Sequence, residues 1–310
     1  MTFKQKLDQM DLVGNLLFLP SITCLFIILS WAGIKYAWSD PKVIGLFVIF
    51  GVFLLGFLYN EYRRGDKATL PPRIIKQRSV IAGFIFISCM SGAMSVVEFY
   101  LPTYFQAVRG YGPATSGYLL LPIILSFLIA VTIQGAATSI IGYYTPFMIL
   151  ASVLAPVAAG LMTTLELDSS LVQTLVYSGL TGLAAGLGYQ GPQNAVQCAL
   201  STTDAPMGVS IILFAQHFGS ALYVALAQTL FSNLLSKNLQ SLNPDLTPRT
   251  IENMGIMELK NSFGHKDLHQ VILGFDESLT RTWYLVVGLT CATMVGSLAT
   301  EWKSVKQKKN

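Results

Sequence analysis

A single carboxylate, Glu98, stands inside a long apolar run with three hydroxyls on the same side, Ser88, Ser91 and Ser95. At about 100° per residue, spacings of three, four and three hold all four within about 80° of one helix surface. A polar stripe that ends in a carboxylate suits a water-lined wall. A carboxyl drawn out of bulk water also titrates closer to neutrality, as a proton carrier must. Its place beside Tyr100 and Pro102 equally fits a hydrated acid at an outer interface, so both readings stand.

Two further stripes carry neutral polar groups. Gln190, Gln193, Asn194 and Gln197 recur at spacings of three, one and three, and Gly182 and Gly186 continue the same side. Amides offer donors and acceptors without a fixed charge, which suits contact with a polar group on an otherwise apolar molecule. The alternative is a packing seam, with a kink at Pro192 whose freed carbonyl the amides would satisfy. Ser210, His217, Ala221 and Gln228 form the third stripe, beside Gln216 and Ser220. An imidazole titrates near neutral pH and suits a proton relay, or else it is a hydrogen-bonded packing residue. His265 and His269, four apart around Asp267, have no third ligand at a convincing spacing and read as a solvated face.

These groups are positioned by apolar segments at about 12–34, 43–60, 79–105, 115–137, 145–165, 170–192, 207–235 and 282–300. Each approaches the roughly 20 residues that carry a helix across about 30 Å of hydrocarbon. Helix is the state to expect, because backbone groups in lipid need partners within the segment. Hydrophobic residues make up 53% of the chain and charged residues 12%, about half the charged share of a soluble domain. The fold class expected is therefore all-α integral membrane with eight transmembrane helices, solvated by the lipid bilayer.

Lys and Arg placement sets the topology. With the N-terminus in the cytoplasm, twelve of the twenty basic residues fall on the cytoplasmic side and eight outside, five of these in one long loop at about 236–281. The organisation is uneven. Residues 1–60 hold the N-terminus and two spans, and 61–78 form a basic linker suited to anionic lipid. Residues 79–300 hold six spans, and 301–310 form a basic tail. Met1 to Asp11 is polar and unlike a signal peptide, so the first span is expected to act as a signal-anchor or to follow further sequence.

Several classes are excluded. A net charge of +4 makes no case for nucleic acid. The four cysteines sit in or beside apolar spans without metal or disulfide spacing. HExxH, H-x4-D, DDxxD-like and Gly-x-Ser-x-Gly patterns are absent, so neither an enzyme nor a cofactor is expected.

Five segments together identify a relative. They are Leu70–Ser79 (LPPRIIKQRS), Tyr100–Gln106 (YLPTYFQ), Gly110–Gly117 (GYGPATSG), Gly186–Gln197 (GLGYQGPQNAVQ) and Ala227–Asn233 (AQTLFSN). The combination resembles the fungal fourteen-span drug:proton antiporters of the major facilitator superfamily. That family is built as six spans, two linker spans and six more, and the pattern here is similar to its seventh to fourteenth spans. The resemblance implies two linker helices followed by the C-terminal six-helix bundle. It implies proton-coupled export of hydrophobic small molecules, whether drugs or fungal secondary metabolites and toxins. The membrane implied is the plasma membrane, or else a vacuolar or vesicle membrane. Two departures stand out. The loop from Gly135 to Pro146 holds no Lys or Arg where the family carries a basic signature, and the first bundle is not in the chain. The chain is therefore expected either to work with a first bundle supplied elsewhere or to be a non-transporting half or partner subunit.

Overall fold

The computed structural model describes residues 11–65, 68–240 and 268–308, with 242, 247, 248 and 250. Among these the regular structure is helical, and extended residues meet only at an isolated bridge between Ala32 and Tyr36. Backbone contacts separate two units, Met1–Gln77 and Arg78–Asn310. Among the described residues eight helices are long and apolar enough to cross a bilayer: Leu12–Trp31, Pro41–Arg64, Arg78–Ala107, Pro113–Ile141, Thr145–Met162, Leu171–Ala199, Ala205–Leu239 and Leu268–Ala299.

The first unit is a helical hairpin, α1 (Leu12–Trp31) and α2 (Pro41–Arg64), followed by the single turn α3 (Pro72–Ile75). Asp40 caps α2 by accepting from the Lys42 amide at 2.8 Å, with Pro41 in the first turn where its missing N–H costs nothing. The two helices meet through Phe18 and Phe57, whose ring centroids lie 4.9 Å apart, and around Ile28, Ala32 and Val43. Their outer surface is greasy, with Leu16 70% and Leu55 68% exposed, as expected of side chains that lipid solvates.

One polar knot ties this unit at its base. Asp11, 1% exposed, accepts from the Gly14 amide at 2.9 Å, from Asn60 at 3.1 Å and from the Thr69 hydroxyl at 3.1 Å, and it pairs with Arg64 at 3.3 Å. Burial alone would raise the Asp11 carboxyl. The Gly14 amide, Asn60, Thr69 and the Arg64 charge together outweigh it and hold the pKa below the usual carboxylate range. Glu61 accepts from the amides of Thr69 and Leu70 at 3.2 and 2.8 Å. The start of α1, the end of α2 and residues 68–70 are therefore held as one piece.

The second unit is built around α4 (Arg78–Ala107). Phe86, Ile87, Val96, Val97, Leu101 and Phe105 along it are fully buried. It packs against α10 (Ala205–Leu239) and α11 (Leu268–Ala299). Next to α11 lies α7 (Thr145–Met162), which packs on α8 (Leu171–Tyr189), and α8 packs on α6 (Leu121–Ile141). A short α5 (Pro113–Tyr118) leads into α6, and α9 (Gly191–Ala199) follows α8. Apolar attraction between helices is weak in lipid, so close backbone approach has to supply the packing. Gly219 provides it between α10 and α4, where a Cβ would run into the Ser88 backbone. Gly182 and Gly186 do the same for α8 against the carbonyls of Ile123 and Phe127 on α6. A buried hydroxyl pair, Thr293 to Ser152 at 3.1 Å, joins α11 to α7.

Three boundaries differ from the sequence reading. Residues 268–281, expected within an outer loop at 236–281, are the opening turns of α11, and α10 runs on to Leu239. Asp276, Glu277 and Arg281 dilute the hydropathy there, yet Val271, Phe275 and Leu279 are buried on one face and hold the helix. His269 therefore lies on α11, while His265 and Asp267 lie outside the described residues. Pro192 does not kink a continuous helix. The helix breaks at Gln190, and Pro192 sits in the first turn of α9, where a proline lacks nothing. Pro122 similarly opens α6, whereas Pro20, Pro102 and Pro156 lie within helices.

Candidate functional site

The serine–glutamate stripe lies on α4, as the spacing implied, but α10 crosses it and divides it. Ser88 turns back to the Ile85 carbonyl at 3.2 Å. Ser91, 1% exposed, donates across the helix interface to the Gln216 carbonyl at 2.8 Å. These two hydroxyls bind helices together. Ser95 is half-buried and Glu98 is exposed, so only the outer part of the stripe is open. Glu98 is within electrostatic reach of the Tyr189 phenol at the end of α8, which places the carboxylate and the amide region on neighbouring helices.

The amide stripe straddles the break between α8 and α9. Gln190 and Gln197 are exposed, while Gln193 and Asn194 are half-buried. The Asn194 amide closes the break by donating to the Gln190 carbonyl at 3.1 Å. An open cavity of about 490 Å³ lies beside Gln197, bounded by Thr202, Ala205, Pro206 and Val209. On α10, Ser210, His217 and Ala221 are exposed and Gln228 is half-buried. Phe214 and Phe218 stack beside His217 with centroids 5.4 Å apart. The faces of α4, α8, α9 and α10 thus carry the Glu98 carboxylate, the His217 imidazole and several amides on surfaces that are otherwise apolar. Such groups can hydrogen-bond a polar substituent and carry a proton, and they offer no fixed positive charge.

Other polar groups escaped the sequence reading. Gln134 on α6 is fully buried, donates to Thr138 at 3.0 Å, and its Oε1 has no hydrogen-bond partner among the described residues. Its signal was the i, i+4 pair with Thr138 in an apolar helix. At the other end of the bundle, Asp276 is within electrostatic reach of Glu166 and Arg109. Arg109 donates to the Leu167 carbonyl at 2.6 Å, and Tyr104 donates to the Glu166 carbonyl at 3.4 Å. This cluster was hidden because Asp276 was read as loop. Among the described residues no three His, Cys, Asp or Glu side chains gather as a metal site would require. Among the described residues Cys24, Cys89, Cys198 and Cys291 form no disulfide.

No family model matches the chain. Curated relatives do. The chain is 37% identical over 308 residues to the MFS-type efflux pump MFS1 of Arthroderma benhamiae, covering 99% of this chain and 58% of that protein. It is 36% identical over 307 residues to the efflux pump roqT of Penicillium rubens, covering 99% and 57%. It is 35% identical over 305 residues to the MFS-type transporter astH of Aspergillus oryzae, covering 98% and 54%. The chain therefore spans little more than half the length of the relatives it matches. Among solved structures it is similar to a bacterial homologue of the human lysosomal transporter Spinster, in an inward-facing, unoccupied conformation. The TM-score is 0.53 at 11% identity, over 90% of this chain and 64% of that one, a likeness of fold. The relatives carry the names of transporters, which supports a non-enzymatic reading.

Proposed function

We propose that the chain is the linker pair and second bundle of a fungal MFS exporter that moves hydrophobic small molecules outward in exchange for protons. The carrying observation is the similarity to fungal efflux pumps along 99% of the chain. The exposed Glu98, Gln190, Gln197 and His217 give it a chemical basis, since isolated polar groups are costly against acyl chains and find their use against water or substrate. In this reading a first bundle supplies the opposite wall, and the substrate sits between the halves near the midplane. Glu98 and His217 are the proton-handling candidates. Ser95, Gln190, Gln193, Asn194, Gln197 and Gln228 are the substrate-facing ones, and Ser91 is a hydroxyl that sets the helix contact beneath them. The fourteen-span drug:proton antiporter architecture belongs to this proposal, and so do drugs, secondary metabolites or toxins as cargo. The plasma membrane is the proposed location, with vacuolar or vesicle membranes as the alternative.

The test is uptake into inside-out proteoliposomes with an imposed pH gradient. It compares this chain with a version extended by six further spans, over a panel of apolar fluorescent compounds. Gradient-driven uptake by the extended version supports the proposal, and its failure on every compound rejects it. The second reading is a non-transporting half or partner subunit. Transcript sequence upstream of Met1 separates the two. An in-frame block of six apolar segments favours the exporter, and a stop codon there favours the half.

A further inference from the structure

The loop from α6 to α7 holds no Lys or Arg, yet it lies at the negative end of α6, where the last carbonyls need donors. Those donors come from far along the sequence. Beyond α11 the chain turns back across this loop and ends in a 3-10 turn, Val305–Lys308. Tyr144 donates its hydroxyl to the Glu301 carbonyl at 2.7 Å. The Val305 amide donates to the Gly142 carbonyl at 2.9 Å, and Lys306 Nζ donates to the Ile140 carbonyl in the last turn of α6. Gly142 has φ 89°, and a Cβ there would press on Lys306 and Ser304 at 3.2 Å. Glycine at this position suits both the left-handed backbone and the close approach of the returning segment.

The segment is itself anchored. Arg78 at the start of α4 donates to the Ala299 carbonyl at 2.6 Å, and Lys303 pairs with Glu301 at 2.8 Å. Lys303 first, then Ser79 and Arg78, hold the Glu301 carboxyl below its ordinary range against a smaller opposing effect of burial. Burial pushes the Tyr144 phenol up to about 12, so it remains a donor at any cellular pH. The 3-10 turn lies against α9 as well as α6. α9 spans nine residues, is severed from α8 at Gln190, and carries Gln193, Asn194 and Gln197.

We propose that residues 300–306 form a strap that pins the α6–α7 loop to α9, with Lys306 as its positioning residue. α9 then swings at the Gln190 break only when the strap lets go. The strap rests on contacts inside the six-helix unit and stands apart from the exporter reading. The test is hydrogen–deuterium exchange by mass spectrometry on the whole chain in detergent, for wild type, Lys306→Met, Val305→Pro and Lys306→Arg. A charge-assisted bond of this kind corresponds to exchange about tenfold faster once it is removed. Lys306→Met and Val305→Pro are expected to show that acceleration in both 141–146 and 191–199. Residues 86–97 should be unchanged, and Lys306→Arg should stay near wild type. The strap is overturned by unchanged exchange, by acceleration confined to 141–146, or by an equal rise that includes 86–97.

Discussion

Replacing Gly219 by alanine tests how the bundle holds its polar stripe. A Cβ at this position would meet the oxygen, Cα and carbonyl carbon of Ser88, all backbone atoms, so no side chain can swing aside. The α10 and α4 axes must separate. Overpacking of this kind costs about 1–3 kcal/mol. Separation also strains the bond from Ser91 to the Gln216 carbonyl, at 2.8 Å, whose loss costs about 1 kcal/mol more. Alanine returns about 0.5–1 kcal/mol through its helix preference. The net loss is about 2 kcal/mol, or a fall of roughly 3 °C in Tm for a chain of 310 residues. Gly288→Ala is the control, because nothing lies near its Cβ position on α11. It should melt at or slightly above wild type. Thermal unfolding in one detergent, followed by circular dichroism, reads both. Equal melting of the two variants would refute the idea that close backbone contact at Gly219 holds α4 to α10.

Glu98→Gln should abolish uptake driven by a pH gradient in the extended transporter while leaving counterflow exchange within about twofold of wild type. Loss of both would remove Glu98 from the proton path. Gln193→Leu is expected to raise KM for substrates with a polar substituent about tenfold and to leave purely apolar ones unchanged, measured as initial rates. The Asp11 knot gives a pH prediction. A carboxyl held below its ordinary pKa contributes stability that is present above the unfolded value, near the reference of 3.8, and is lost as pH falls through the folded value. Protease cleavage between residues 60 and 72 should therefore accelerate from about pH 5 down to about pH 2 in wild type with an acid protease. Asp11→Asn should cut rapidly already at the upper limit, and a flat wild-type profile would refute the linkage.

The gross architecture was legible because lipid imposes it. Eight apolar runs of sufficient length have one backbone solution, and the helices appear where the runs lie. Boundaries blurred where a helix leaves the apolar layer. Hydropathy hides residues 268–281, although Val271, Phe275 and Leu279 keep the helical spacing of a buried face. Helical periodicity placed Ser88, Ser91, Ser95 and Glu98 on one side but was blind to the neighbour covering it. That depends on Gly219, more than a hundred residues away. The strap at Lys306 was illegible for the same reason, since a lysine in a basic tail looks like any other until Ile140 is beside it.

Thiol labelling of single-cysteine variants in lipid bilayers tests the central claim most directly. Cys24, Cys89, Cys198 and Cys291 are first replaced by serine or alanine. One cysteine is then introduced by Glu98→Cys, Gln190→Cys, Gln197→Cys or His217→Cys, with Leu16→Cys, Leu55→Cys and Leu128→Cys as lipid-facing controls. A membrane-impermeant methanethiosulfonate should modify the first four and spare the three controls. Protection of the first four, at the level of the controls, would mean that the polar side chains meet acyl chains and that there is no conduit for them to line.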